Sequence, residues 1–251
     1  MTPITVGYIG IVLLIILLFT GVHIGVVMGL LGFLGMALLS GWPAAFGVLK
    51  TVPYTTFADY GFSVIPLFIL MGEFCFVAGI SGDLYQTVHK FLGNLRGGLA
   101  MATVGGCAGF AAVCGSSMAT AATMGTVALP EMKGYKYDSS LATGTLAAGG
   151  TLGILIPPSV PMVIYGMLTE QSIGKLFLAG FIPGIILALL FIIVIGVVCR
   201  VNPLAGPPGP KTGLWQKIVS LKDTWIVVAL FVLVIGGLYA GVFSPTEAAG
   251  V

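Results

Sequence analysis

The 251 residues are 58% hydrophobic and 7% charged, and their formal net charge is +2. Because a soluble domain carries about a quarter charged residues, such a chain cannot cover its surface with polar groups in water, and we expect lipid to be its solvent. This composition excludes an ordinary soluble domain. A net charge this small, without basic runs, also argues against a nucleic-acid partner.

The first hundred residues contain three apolar runs and one amphipathic segment. Residues 4–19 and 24–39 are divided by a weak break, so they form either two crossings or one kinked pair. No basic residue precedes the first run, which predicts a retained span rather than a cleaved signal. After a mixed interval to Asp59, a third span covers about residues 61–80. Residues 81–96 predict an amphipathic helix lying at the membrane interface.

Residues 99–129 do not fit a simple span. As one helix this segment would be about 46 Å long against a core of about 30 Å, whereas two crossings need about 40 residues. Its middle, AVCGSS at 112–117, is rich in small and polar residues that terminate helices. We therefore predict a re-entrant hairpin of two half-length helices. Cationic residues flank both ends of this hairpin, and the positive-inside rule therefore places both ends on the cytoplasmic face.

A second irregular segment covers residues 141–168. Pro157 and Pro158 lack an N–H group and free the carbonyls of Gly153 and Ile154, while nearby glycines let the backbone leave helical geometry. In hydrocarbon, broken backbone survives only where it lines a cavity or holds a ligand. The segment is therefore predicted to be a discontinuous helix.

The last part of the chain returns to ordinary patterns. Residues 176–199 predict a span, and a Pro/Gly-rich linker at 203–210 follows. A final span covers about residues 225–242, and Ser244, Pro245 and Glu247 predict the cap and first turn of another helix, so the sequence looks truncated. The loop between these spans is basic and is expected on the cytoplasmic face; its cations are Arg200, Lys211, Lys217 and Lys222.

A hairpin tip followed by a broken helix indicates a binding site at the membrane midplane in secondary transporters. Unwound carbonyls and the ends of half-helices favour cations, and neutral oxygens suit sodium because no full charge is buried. The oxygens of Gly115, Ser116 and Ser117, with the freed carbonyls near Gly153, form such a set. In the alternative interpretation, the serines only cap a helix and the prolines only kink one.

Glu73 is the one carboxylate well inside a predicted span, so it is a possible proton relay. It lies outside both irregular segments, which favours sodium as the coupling ion. His23 and His89 are in loop or interfacial contexts, where a titration switch is the less favoured interpretation. No enzyme motif is present, because the Ser116 region is not G-x-S-x-G and the glycines at 149–153 lack a phosphate-loop lysine. The four cysteines all lie in apolar stretches, and we interpret them as small buried apolar side chains.

Several motifs in this order resemble the large permease subunit (DctM type) of TRAP, tripartite ATP-independent periplasmic, transporters. They are SVIPLFILMGE at 63–73, LRGGLA at 95–100, GSSMATAA at 115–122, PEM at 130–132, GTLGILIPPS at 150–159 and SIGKLF at 172–177. The resemblance covers most of the chain. It implies the N-terminal half of a multi-span helical transporter built as two inverted repeats.

The resemblance also implies sodium-driven uptake of an organic acid, such as a dicarboxylate or sialic acid, by an elevator mechanism in the bacterial inner membrane. Its partners would be a small membrane subunit and a soluble periplasmic binding protein. Two alternatives stay open: a sodium- or proton-coupled elevator carrier that needs no binding protein, and a non-transporting membrane scaffold subunit.

Carried over by motif, one Na⁺ site would use oxygens of Ser116, Ser117, Gly153, Leu155 and Pro158. Residues expected to line the substrate cavity are Gly115, Thr151, Pro157 and Ser159. Family members often have Ser-Gly-Ser-Ser at the tip, where this chain has Cys114, so a contact from the first serine is in doubt.

The resemblance divides the chain into functional regions. Residues 1–98 would form scaffold-type spans and the interfacial helix, and 99–199 a transport-type region with the hairpin at 99–129, the broken helix at 141–168 and the span at 176–199. Residues 200–223 would be a cytoplasmic linker, and 224–251 the next span with the start of a truncated second repeat.

Overall fold

The computed structural model describes residues 2–209 and 212–250, and every regular element in those two ranges is helical. Four residues lie outside the described ranges: Met1, Pro210, Lys211 and Val251. The predicted cytoplasmic cation Lys211, the end of the predicted linker at Pro210 and the end of the last predicted segment at Val251 therefore lie outside the described residues. The chain divides into two compact units, Met1–Phe62 and Ser63–Val251.

The first unit contains three helices: α1 (Pro3–Leu18), α2 (Ile24–Ser40) and α3 (Trp42–Ala58). The first two follow the predicted apolar runs, and each is shorter than the roughly 20 residues of a full crossing. Helix α3 was not predicted, because its composition is mixed. The structure shows why it forms: Pro43 stands in its first turn, and the Phe33 ring of α2 lies 5.3 Å from the Phe46 ring of α3.

A short 3₁₀ turn at Tyr60–Ser63 ends at the first residue of the second unit, and this unit continues as a series of α-helices. These are α4 (Val64–Val77), α5 (Ile80–Leu92), α6 (Gly98–Cys114), α7 (Ser117–Gly134), α8 (Ser139–Gly150), α9 (Leu152–Leu155), α10 (Val160–Leu168), α11 (Ile173–Val201), α12 (Leu214–Ser220), α13 (Trp225–Phe231), α14 (Gly237–Tyr239) and α15 (Pro245–Gly250), with a π-helical stretch, Val232–Gly236, between α13 and α14.

Within the described ranges, two helical segments are long and apolar enough to cross a membrane alone, Tyr60–Val77 and Ile173–Val201. Two further spans result if each bent pair counts as one. The first pair, Ser139–Leu155 with Val160–Leu168, bends by 41°, and the second, Leu214–Ser220 with Trp225–Tyr239, bends by 45°. The predicted break in the helix at 141–168 is therefore present.

Helices α6 and α7 form a helical hairpin whose turn coincides with the predicted tip. Gly115 ends α6 in the left-handed region with φ +65°, where a side chain would be strained. The arms have 17 and 18 residues, about 26 Å each, so they are longer than the half-length helices expected from the sequence. The second arm is longer because the helix continues through Pro130 to Gly134.

Helix α5 confirms the predicted amphipathic helix but ends at Leu92, four residues earlier than expected. Its apolar face packs against α6: a Cβ built on Gly105 would lie 2.7 Å from Val88 Cγ1. On its other side, Gln86 Nε2 donates to Glu131 Oε1 over 2.6 Å, and His89 Nδ1 lies 3.4 Å from Glu131 Oε2. The expectation that α5 only lies on an interface is therefore incomplete, because the helix is fastened to both hairpin arms.

The predicted linker after α11 is hydrogen-bonded to the base of the hairpin. The N–H of Gly97 donates to the Gly206 carbonyl over 2.8 Å, and the N–H of Gly209 donates to the Gly93 carbonyl over 2.7 Å. Beside them, the N–H of Leu99 donates to the Tyr137 hydroxyl over 3.2 Å. Burial raises the pKa of Tyr137 to about 12, so this phenol stays neutral at physiological pH. The linker is thus a fixed part of the second unit.

We predict that Gly97→Ala destabilises this base. Gly97 has φ +77°, and a Cβ there would lie 2.6 Å from Cys199 Sγ, so the variant combines strain with a clash. The expected loss of unfolding free energy is about 2 kcal/mol, measured as a lower thermal midpoint in detergent. The matched control is Gly144→Ala in α8, where nothing lies within 4 Å of the added Cβ. Equal midpoints for the two variants would contradict this account.

Candidate functional site

The hairpin tip meets the break of the discontinuous helix. The N–H of Val160 donates to the Gly115 carbonyl over 3.3 Å, and a Cβ built on Gly115 would lie 2.5 Å from the Pro158 carbonyl oxygen. Both Gly115 and Pro158 are buried. Glycine is therefore required at position 115 for two reasons, which are its positive φ and the close approach of the two backbones.

A cluster of uncharged oxygens lies beside this junction. A Cβ built on Gly153 would lie 2.5 Å from the Ser116 carbonyl oxygen and 2.7 Å from Thr120 Oγ1. Thr120 is fully buried, and its hydroxyl has no hydrogen-bond partner among the described residues. Buried hydroxyls are normally hydrogen-bonded, so this one calls for an explanation such as a bound ion. The arrangement brings Gly153 close to the Ser116 carbonyl, and the assignment of both residues to an ion site stays a prediction.

The sequence analysis did not single out Thr120. It stands in the GSSMATAA motif, one helical turn after Ser116 and Ser117, so helical spacing from those serines could have indicated it. What the sequence could not show is that Gly153 lies against that turn of α7.

The two carbonyls freed by the prolines, those of Gly153 and Ile154, differ in their hydrogen bonding. Ser159 Oγ donates to the Ile154 carbonyl over 2.6 Å, so the expectation that this carbonyl is left unsatisfied is wrong. The cause is the fully buried Ser159, whose side chain replaces the N–H that Pro158 lacks. For Gly153, no described residue donates to the carbonyl oxygen. Of the two carbonyls, that of Gly153 is the one available to a ligand.

The other predicted ion ligands lie close to the junction in different settings. Ser116 Oγ accepts from the Ala119 N–H over 3.4 Å and so caps α7, which still leaves lone-pair capacity on that oxygen. Ser117 is the first residue of α7, and its carbonyl lies 3.3 Å from a Cβ built on Gly150. The Leu155 carbonyl lies against α11, 2.7 Å from a Cβ built on Gly180.

The residues predicted to line a substrate cavity differ in exposure. Gly115, Pro157 and Ser159 are buried, whereas Thr151 is exposed. The hydroxyl of Thr151 donates to the Ala148 carbonyl over 2.6 Å. The assignment of these four residues to a substrate cavity stays a prediction.

Glu73 lies nearer the tip than its sequence position indicated. Its neighbour Gly72 packs α4 against the end of α6, because a Cβ built on Gly72 would lie 3.0 Å from Cys114 Sγ. The Glu73 side chain itself is exposed. Within the described ranges, no three His, Cys, Asp or Glu side chains cluster as a metal site would require. All four cysteines are buried and free, as predicted.

Comparison with known protein families identifies the family of this chain. Residues 11–251 match the family model described as the tripartite ATP-independent periplasmic transporter, DctM component. The chain belongs to this family. The family is one of transporter permeases and not of enzymes, which agrees with the apolar composition.

Relatives of known function support the same assignment. A C4-dicarboxylate TRAP transporter large permease protein from Pseudomonas aeruginosa is 41% identical over 89% of this chain and 52% of its own length. Its counterpart in Vibrio cholerae is 36% identical over 96% of this chain and 52% of its own length. A sialic acid TRAP transporter permease from Haemophilus influenzae is 30% identical over 96% of this chain and 39% of its own length. The chain thus spans about half the length of the C4-dicarboxylate relatives.

We predict that Gly153→Ala forces the break away from the hairpin tip. The added Cβ would lie 2.5 Å from a backbone oxygen, which cannot move as a flexible side chain could. The expected cost is about 1–3 kcal/mol, measured as a lower thermal midpoint. In the matched control Gly125→Ala, in the second hairpin arm α7, nothing lies within 4 Å of the new atom, and stability should be kept or slightly raised. An unchanged midpoint in Gly153→Ala would refute the close approach.

Proposed function

We propose that this chain carries a sodium site of a transporter that takes up an organic acid, and that the site lies where the hairpin tip meets the broken helix. One observation carries the proposal: the fully buried Thr120 hydroxyl, which has no hydrogen-bond partner in residues 2–209 and 212–250, lies next to the Ser116 carbonyl and Gly153. An oxygen cluster without a carboxylate suits a monovalent cation in a low-dielectric setting, because it avoids burying a full negative charge.

The ends of α6 and α7 at the hairpin tip are a second argument for an ion site there. Helix α6 ends at Cys114, so its last carbonyls and the negative end of its dipole face the tip, which favours a cation. Helix α7 begins at Ser117, and its free N–H groups favour an anion, such as a substrate carboxylate, on the same side of the turn. One turn thus offers opposite ends to an ion and to a carboxylate.

The substrate class follows from the relatives. The similar permeases include transporters named for C4-dicarboxylate and for sialic acid, both of which are carboxylates. On this basis we extend to this chain an organic acid substrate, delivered by a periplasmic binding protein and moved with the help of a small membrane subunit in the bacterial inner membrane. The hairpin would be re-entrant, and with the broken helix it would form the moving part of an elevator.

A proton-coupled carrier is the second candidate. The observation that favours it is that Gly72, next to Glu73, packs against Cys114 at the hairpin tip. A carboxylate next to the site could carry a proton instead of a neutral cluster holding sodium. Glu73→Gln therefore separates the two candidates.

We expect Thr120→Val, which removes one oxygen at nearly constant volume, to raise the sodium concentration for half-maximal uptake about tenfold, equivalent to about 1.4 kcal/mol. Uptake is measured in proteoliposomes that contain the complete permease with its small membrane subunit and binding protein. The control is Thr103→Val, because the Thr103 hydroxyl is buried but donates to the Leu99 carbonyl over 2.9 Å.

The outcome that would sink the sodium assignment is specific. Uptake that ignores sodium, follows a proton gradient and fails in Glu73→Gln would move coupling to α4. An equal sodium requirement in Thr120→Val and Thr103→Val would remove Thr120 from the site.

A further inference from the structure

The second unit contains a large apolar groove that reaches the hairpin–break junction. Its volume is about 640 Å³, within the usual range of ligand sites. It is bounded by α5, α6, α11 and α13, and its lining includes Val88, Ala108, Phe181 and Val228. Ile156, the residue before Pro157, lines the groove where it reaches the helix break.

The hydroxyls on the groove wall are already used. Thr87 Oγ1 donates to the Ser220 carbonyl over 3.0 Å, and Thr224 Oγ1 donates to the Leu221 carbonyl over 3.1 Å. A polar ligand inside the groove would lose its hydrogen bonds to water and gain few in return. The groove therefore suits a hydrocarbon chain.

One side of the groove carries cations. Lys217 Nζ lies 5.8 Å from the centre of the Phe91 ring and 3.4 Å from the Phe91 carbonyl oxygen, and Phe91 lines the groove. Lys222 follows Leu221, another lining residue. Neither lysine forms an ion pair in the described part of the chain, although Asp223 is adjacent in sequence. The Lys217 ammonium beside this apolar groove, with Lys222 adjacent to a lining residue in sequence, favours a ligand with an anionic head.

Along α5 the lining runs from Leu84 to Leu92, about 12 Å of helix, which is long enough to hold part of an acyl chain. Phe91 and Leu92 lie toward the end of α5 that leads to Arg96, on the side predicted to be cytoplasmic, where anionic headgroups attract basic residues.

We propose that this groove binds one acyl chain of an anionic phospholipid, whose phosphate is held by Lys217 and Lys222. The bound chain touches Ile156 and so supports the broken helix. Charge complementarity selects this occupant over an uncharged detergent or a further protein helix.

The test is native mass spectrometry of the complete permease, with its membrane partner, released from nanodiscs of phosphatidylglycerol or of phosphatidylethanolamine. No sodium or substrate is added, so the result is independent of the transport proposal. We expect one phosphatidylglycerol to be retained, and retention to fall about fivefold in Lys217→Gln. Lys175→Gln, an exposed lysine on α11 outside this groove, should not change it.

A second part of the test fills the groove with a large side chain. Ala108→Phe should abolish retention, whereas Ala148→Phe, in a separate cavity between α8 and α11, should leave it intact. Equal retention of both lipids, unchanged by Lys217→Gln, would overturn the anionic headgroup. Retention that persists in a monodisperse Ala108→Phe protein, or a protein helix found in the groove, would overturn the site itself.

Discussion

The second unit depends on close approach of backbones around α6, which only glycine and other small residues allow. A Cβ on Gly149 would lie 2.8 Å from Cys107 Sγ, and one on Gly106 would lie 2.5 Å from the Met124 Cε. Helices in lipid are not driven together by water, so such close contacts and the dispersion attraction they give must hold them. Most of α6 is consequently buried, and α5, α7, α8 and α11 all pack against it.

The same constraint creates the candidate site. Gly115 and Gly153 let two irregular backbones meet, and the meeting collects carbonyl and hydroxyl oxygens that no apolar packing would bring together. A site made this way consists of neutral groups and helix ends, so an ion bound there would meet no buried charge of the protein. Loss of either close contact would separate the oxygens before it altered the fold as a whole.

The two ends of the hairpin differ in how they are held. At the base, backbone hydrogen bonds from Gly97 and Gly209 and the Tyr137 hydroxyl fasten the hairpin to the segment after α11. At the tip, one backbone hydrogen bond between described residues, from the Val160 N–H to the Gly115 carbonyl, joins the hairpin to the break. An ion that joins the Thr120 hydroxyl to the other oxygens would add to that single bond, which is how binding could be coupled to the position of the tip.

The sequence by itself determined the class of fold, the hairpin turn, the break after Leu155 and the residues around them, because composition, segment length and proline chemistry act locally. Segment length did not determine the arms of the hairpin, since α7 continues through Pro130. Only the tertiary structure decided that Ser159 satisfies the Ile154 carbonyl, that Thr120 faces Gly153 and that Gly72 packs α4 at the tip. These are contacts between segments distant in the chain or side-chain rotamers set by them, and a single sequence has no period or spacing that records such contacts.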